Sequence, residues 1–208
     1  MKTQQRRQEL KETLITVGIG TIERKGLSAL RARDLAKEAG CALGAIYNVF
    51  PDLDTLILAI NSRTMEMLEQ HLSQFSVPLP HSADGVARQA AREQLVALAL
   101  GYLDFADRNL LRWRALFEHR IETRQNAPEW YVDMIAKLFA FIERPVSILK
   151  ADLDEAETAL LSRSLFSAAH GMVALGLEEK IGTIPLERLH DQIRYVVDTM
   201  AVGLIKNV

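Results

Sequence analysis

The chain has 208 residues, 49% of them apolar, with only 11 Gly and 6 Pro; that is long enough to bury a sizeable core and too apolar for intrinsic disorder. The single cysteine, Cys41, excludes a disulfide framework and a thiolate metal site, and reads as a small buried hydrophobe in a reducing compartment. The net charge of −2 hides an asymmetry: residues 1–50 carry nine Lys/Arg against five Asp/Glu, and residues 51–208 carry 16 against 22. A basic front on an acidic body suits an anionic partner, or a solvated basic helix face.

Residues 1–12 are polar with no apolar run, so no secretory signal is expected. A first helix is predicted over 3–25, where Leu10, Leu14, Val17, Gly18 and Ile22 recur at helical spacing and Gly26 supplies the stop. A second is predicted over 30–39, ended by Gly40, and a short third over 43–49. Pro51 breaks the chain, Asp52 is placed to cap, and a long fourth helix is expected to about residue 75. The stretch SVPLPHSADG reads as a loop.

Five further helices are predicted over 84–106, 109–119, 128–150, 154–178 and 185–206. Pro145 should kink or split the third of these, because it removes a backbone donor and crowds the preceding turn. The longest uncharged late stretch, residues 164–177, has 14 residues, short of the roughly 20 that span a bilayer; a soluble cytoplasmic protein is expected. The stretch from Leu165 through Met172 to Leu177 is apolar or small on nearly every side. In the last helix Leu186, Leu189, Ile193, Val196, Val197, Met200 and Leu204 form a seam. Such a surplus predicts a homodimer closed by a four-helix bundle, with Leu165, Met172, Leu189, Ile193, Val197, Met200 and Leu204 at its interface. The competing reading is that the chain's own earlier helices cover both faces.

The front carries the chemistry. A helix-turn-helix needs a short helix, a turn that tolerates positive φ, and a second helix with one face free for the major groove. LRARDLAKEAGCALGAIYNVF meets these needs: Gly40 permits the turn, Ile46 and Phe50 point to the core with Leu35, Tyr47 and Asn48 point outward, and Gly44 permits close approach. A helical hairpin that merely packs is the bland alternative. No tandem repeat, strand alternation or nucleotide-binding loop is present, and Glu187 and His190, spaced as in carboxylate-bridged metal bundles, have no second copy. Neither a catalytic site nor a metal site is expected. A helical dimeric metal-binding enzyme and an interaction module without DNA activity stay as rivals to a DNA-binding regulator.

ARDLAKEAGCALGAIYNVFPDLDTLILA resembles the DNA-binding module of tetracycline-repressor-like (TetR-like) transcriptional regulators, in its Arg-Asp-aliphatic-Ala, its Ala-Gly, its Gly-x-aliphatic-Tyr and its capped long helix. WRALFEHR and AAHGMVALGL resemble the C-terminal domain type of that family named for its Trp, His and Gly (WHG), here Trp113, His170 and Gly171. The resemblance implies an all-α homodimer of about nine helices with no cofactor. A three-helix DNA-binding domain would span 1–51, and a ligand-binding and dimerisation domain 52–208, with residues 52–75 as connecting helix and lever. It further implies a palindromic double-stranded operator and a small-molecule effector that releases it. An apolar cavity lined by Trp113, Phe117, Phe139, Phe166 and His170 is the expected effector site, although an aromatic at helical spacing also serves as plain core. The DNA-contacting positions that match are Arg31, Arg33, Ala42, Leu43, Gly44, Ala45, Tyr47 and Asn48. Where the family commonly carries Thr or Ser, Ser-Lys, Thr and Lys, this chain has Leu30, Ala42 with Leu43, Ala45 and Leu53. Phosphate gripping is therefore expected to fall to Arg31, Arg33, the Tyr47 hydroxyl and the basic tail of Lys2, Arg6 and Arg7.

Overall fold

A computed structural model describes residues 2–80, 82–119, 127–178, 182 and 184–206, with side chains described from residue 4 to 205. Among these, nine α-helices and no strand are found: α1 Lys2–Lys25, α2 Ala32–Glu38, α3 Leu43–Val49, α4 Leu53–Ser73, α5 Gly85–Arg108, α6 Leu110–Glu118, α7 Glu129–Leu149, α8 Glu155–Leu177 and α9 Leu186–Lys206. This is the all-α architecture expected from the periodicity. The second helix starts later than its spacing suggests, because a 3-10 turn, Leu27–Ala29, intervenes. Leu30 is then extended and buried, and Arg31 becomes the N-cap of α2.

Side-chain caps fix where three of the long helices begin. The Asp52 carboxylate accepts from the backbone N–H and the hydroxyl of Thr55, both at 2.7 Å, ahead of α4. Asp84 accepts from the Ala87 N–H at 2.9 Å ahead of α5. Asp154 and Glu157 form a reciprocal capping box on α8. The proline loop before α5 is pinned rather than loose: buried Gln94 accepts from the Val77 N–H at 3.2 Å and donates to the Ser76 hydroxyl, and Leu79 is buried. His81, within that loop, lies outside the described residues.

The split expected at Pro145 does not occur. α7 runs unbroken from Glu129 to Leu149, and the Lys150 N–H continues the pattern to the Val146 carbonyl at 2.9 Å. Val146 and Leu149 are fully buried, so packing of this last turn outweighs the missing proline donor. Pro145 sits close enough to the helix end that few hydrogen bonds follow it.

The chain divides into two compact units, residues 1–67 with 109–134 and residues 68–108 with 135–208. In the first, Leu14, Ile22, Leu35, Ile46, Phe50, Leu56 and Ile60 meet in a buried cluster that Ala115 of α6 completes. Gly18 of α1 lets Ile60 lie directly against the helix backbone, where a Cβ would clash with its side chain. In the second, Leu79, Ala87, Ala91, Leu95, Val146, Ile148, Leu149 and Ala201 form a core drawn from the proline loop, α5, α7 and α9. α5 and α9 are further joined by a bidentate pair, Arg92 Nε and Nη2 to the Asp198 carboxylate at 2.5 and 2.7 Å.

The Asp52 cap carries a prediction. Both Thr55 hydrogen bonds hold its carboxyl below the ordinary carboxylate range, so its stabilisation is complete above the unfolded value of about 3.9 and is lost as pH falls through the folded value. Asp52→Ala should cost about 1 kcal/mol at neutral pH and Asp52→Asn less. Urea unfolding checks this: the gap between wild type and the Ala variant should narrow below about pH 4.

Candidate nucleic-acid interface and aromatic clusters

In the first unit the α2 to α3 connection is fully specified by backbone hydrogen bonds. The Cys41 N–H bonds to the Ala36 carbonyl at 2.9 Å and the Gly40 N–H to the Lys37 carbonyl at 3.3 Å, the paired closure of a Schellman motif. Gly40 sits at φ +68°, a conformation that side chains with a Cβ resist. The turn delivers Ala42 as the N-cap of α3, without a side-chain cap. Ile46 and Phe50 are buried in the unit's core. The opposite side of α3 carries Leu43 at 38% and Tyr47 at 49% exposure, together with exposed Ala42, Gly44 and Asn48; Ala45 is half-buried.

No residue from 42 to 49 is charged. The cations lie on the preceding helices instead. Arg31, Arg33 and Lys37 are exposed on α2, and Arg6 and Arg7 on α1; the Lys2 side chain lies outside the described residues. Arg24 is engaged with Glu38 at 2.9 Å. Lys11, which the sequence reading did not single out, lies over the Phe50 ring at 6.0 Å and so brings a cation to the C-terminal end of α3. Its place on α1 one residue after Leu10 was the available signal.

The same unit fastens α4 to α6 and α1 through buried polar groups. Arg112, only 8% exposed, donates from Nε to the Thr64 hydroxyl at 3.2 Å and from Nη1 to Glu23 at 3.2 Å. Asn61 donates to the Ala115 carbonyl at 3.2 Å. The Tyr131 phenol is pushed up by burial, partly offset by its hydrogen bond with Asn61. Trp113 is 1% exposed and packs against Phe117, with ring centroids 5.6 Å apart; Phe117 itself is 45% exposed.

The other three residues expected to line the effector site come together in the second unit. Phe139 and Phe166 meet edge to face at 5.4 Å, and Phe166 stacks on His170 at 5.5 Å and 26°. Buried Tyr102 joins them, its hydroxyl 2.8 Å from His170 Nδ1 and its ring 5.5 Å from Phe166. Sequence reading missed Tyr102, although it lies on the buried face of α5 between Leu98 and Phe105. Burial holds the His170 imidazole below its ordinary pKa, against a smaller opposing influence of Glu178. Trp113 and Phe117 thus belong to one unit and Phe139, Phe166 and His170 to the other.

The expected interface residues also lie in the second unit. Leu189 and Ile193 are buried inside the chain, Leu189 lying where a Cβ on Gly176 would reach. Leu165, Val197 and Leu204 pack on the unit's own core, and Met172 and Met200 are half-buried. Leu160, Leu175, Leu186 and Tyr195 of α8 and α9 are exposed, at 68%, 42%, 40% and 69%. His190 lies 3.1 Å from Asp104.

Comparison with known proteins bears on both units. No curated protein matches the chain. Among solved structures, the chain is similar to a protein of unknown function from Rhodococcus sp. RHA1, at 22% identity and a TM-score of 0.68, covering 94% of this chain and 95% of that one. It is also similar to a TetR-family transcriptional regulator from Streptomyces coelicolor, at 20% identity and a TM-score of 0.61, covering 96% and 88%. A TetR variant from Acinetobacter baumannii in complex with minocycline matches at 14% identity and a TM-score of 0.61, covering 93% and 94%. These likenesses show the fold. A family model described as "Tetracyclin repressor-like, C-terminal domain" matches residues 95–200, more than half of the chain. With that match behind an N-terminal helix-turn-helix, the chain belongs to the tetracycline-repressor-like family of transcriptional regulators.

Proposed function

We propose that this regulator is a homodimeric repressor of the WHG type, acting in the cytoplasm. Residues 1–51 bind half of a palindromic operator, and residues 52–208, with α4 as connecting helix and lever, bind a small, largely apolar effector and dimerise. The observation that carries the reading is the exposed, uncharged face of α3, held out by the Gly40 turn on a chain of this family.

α3 itself carries no cation, so the operator is gripped chiefly by Arg31, Arg33 and the tail arginines, with the Tyr47 hydroxyl beside them. Log affinity should fall with log salt by about 0.9 per neutralised phosphate. Titrations at several salt concentrations should therefore give a shallow slope; Arg31→Ala should reduce it by about 1 and weaken all sequences alike. Leu43→Lys should steepen it and tighten binding to unrelated DNA. A wild-type slope unchanged by Arg31→Ala together with Arg33→Ala refutes this grip.

Dimerisation falls to the faces of α8 and α9 that the chain leaves uncovered, around Leu160, Leu175 and Tyr195, with Met172 and Met200 alongside. α8 is apolar and long enough by composition to cross a membrane, yet little of it is buried within the chain; a second copy covers it in this reading. Leu175→Glu with Tyr195→Asp should give monomers in analytical ultracentrifugation and lose operator affinity, while retaining the helical signal. A wild-type monomer at micromolar concentration counts against the dimer.

The effector site is centred on Tyr102, Phe139, Phe166 and His170, an aromatic lining with one polar pair. An apolar aromatic compound bound there should weaken operator affinity by a coupling of about 1 to 3 kcal/mol. Phe166→Ala should abolish that coupling and leave binding without compound unchanged. If coupling persists in this variant, the site lies elsewhere.

A further inference from the structure

We propose that α3 reads A·T base pairs through thymine methyl groups, with Leu43 as the specificity-determining side chain and Asn48 as the partner of adenine. The inference rests on operator binding as proposed above, and specifies which base pairs the helix selects. The outward arc of α3 offers the side chains of Leu43, Tyr47 and Asn48, with Ala42 and Gly44 between and before them. Leu43 and Tyr47, four residues apart, are neighbours on one helix face. Both are exposed although each is large and largely apolar.

The major-groove edges of the bases decide what such a face can select. Guanine presents two acceptors, O6 and N7, which Arg or Lys pairs best; cytosine presents an amino donor, which Asp or Glu accepts. No side chain from 42 to 49 is of either kind, so a G·C pair under this helix finds only the neutral Asn48 amide and Tyr47 hydroxyl, which pair with it less strongly than a guanidinium or a carboxylate. Thymine alone carries a C5 methyl group, which needs only an apolar side chain, and adenine pairs bidentately with Asn through N6 and N7. Leu43 and Asn48 therefore favour the two members of the same base pair. The exposed Arg31, Arg33 and Lys37 on the adjoining helix supply the complementary charge for the DNA backbone.

The test uses the intact chain. Half-sites are selected from random duplex DNA, and each thymine under α3 is then replaced by deoxyuridine, which removes only the C5 methyl. The selected half-site should be A·T-rich where α3 protects the bases. Each contacted methyl removed should weaken binding about fourfold, the effect of withdrawing one methyl-sized group from an apolar contact. In Leu43→Ala the ratio between thymine and deoxyuridine duplexes should fall to about one. Equal affinity of the wild type for both duplexes, or a selected half-site that is G·C under α3, overturns the inference while operator binding stands. Selection of no duplex at all overturns operator binding, and this inference with it. The deoxyuridine comparison alters the DNA alone, so it decides the matter even if the Leu43 variant fails to fold.

Discussion

The burial of Ile46 and Phe50 is the constraint on which the rest of the first unit depends. A helix of seven residues has too little surface to satisfy two partners at once, and once these side chains enter the core with Leu14, Leu35 and Ile60, the other side of α3 must face solvent. Gly40 makes that orientation affordable by taking a positive φ that closes α2 and aims the chain back into α3. The same constraint explains why Leu43 and Tyr47 are exposed: their apolar surface is left over from a geometry set by their neighbours, and it lies beside the equally exposed Asn48 amide.

The balance of forces differs between the two units. In the second, the pairs that join α5 to α9, Arg92 with Asp198 and Asp104 with His190, are partly solvated, and such pairs add little to stability. Burying a single side chain such as Leu95 or Leu149 contributes about 1.5 to 3 kcal/mol, so apolar packing carries this unit. In the first unit, Arg112 and Asn61 are buried between helices. Their hydrogen bonds to Thr64, Glu23 and Ala115 offset part of the cost of burying polar groups, and they tie α6 to α4 and α1.

The aromatic cluster of the second unit is built from side chains that the fold itself does not dictate. The similar structures share the architecture at 14 to 22% identity, a level at which helix packing persists while individual side chains change. Tyr102 and His170 form a polar pair surrounded by Phe139 and Phe166, so a ligand there would meet ring faces first and hydrogen-bonding groups second. Burial keeps the imidazole neutral over a wider pH range than in water.

Local signals in the sequence determined the helices and their ends. Apolar spacing, Gly26, Gly40 and the carboxylates Asp52 and Asp84 act over a few residues, and α3 appears over the expected residues. The helix-turn-helix was legible for the same reason: its turn, inward pair and outward face all lie within about 20 consecutive residues. Tertiary packing decided what no short window contains. Pro145 remained inside a helix because Val146 and Leu149 are buried, and the apparent linker around Leu79 was pinned by Gln94, from a different helix. Tyr102 met His170 across 68 positions, whereas Trp113 and Phe117 fell in the other unit. Periodicity says which face of a helix is apolar, but which helix covers that face depends on contacts between residues distant in sequence.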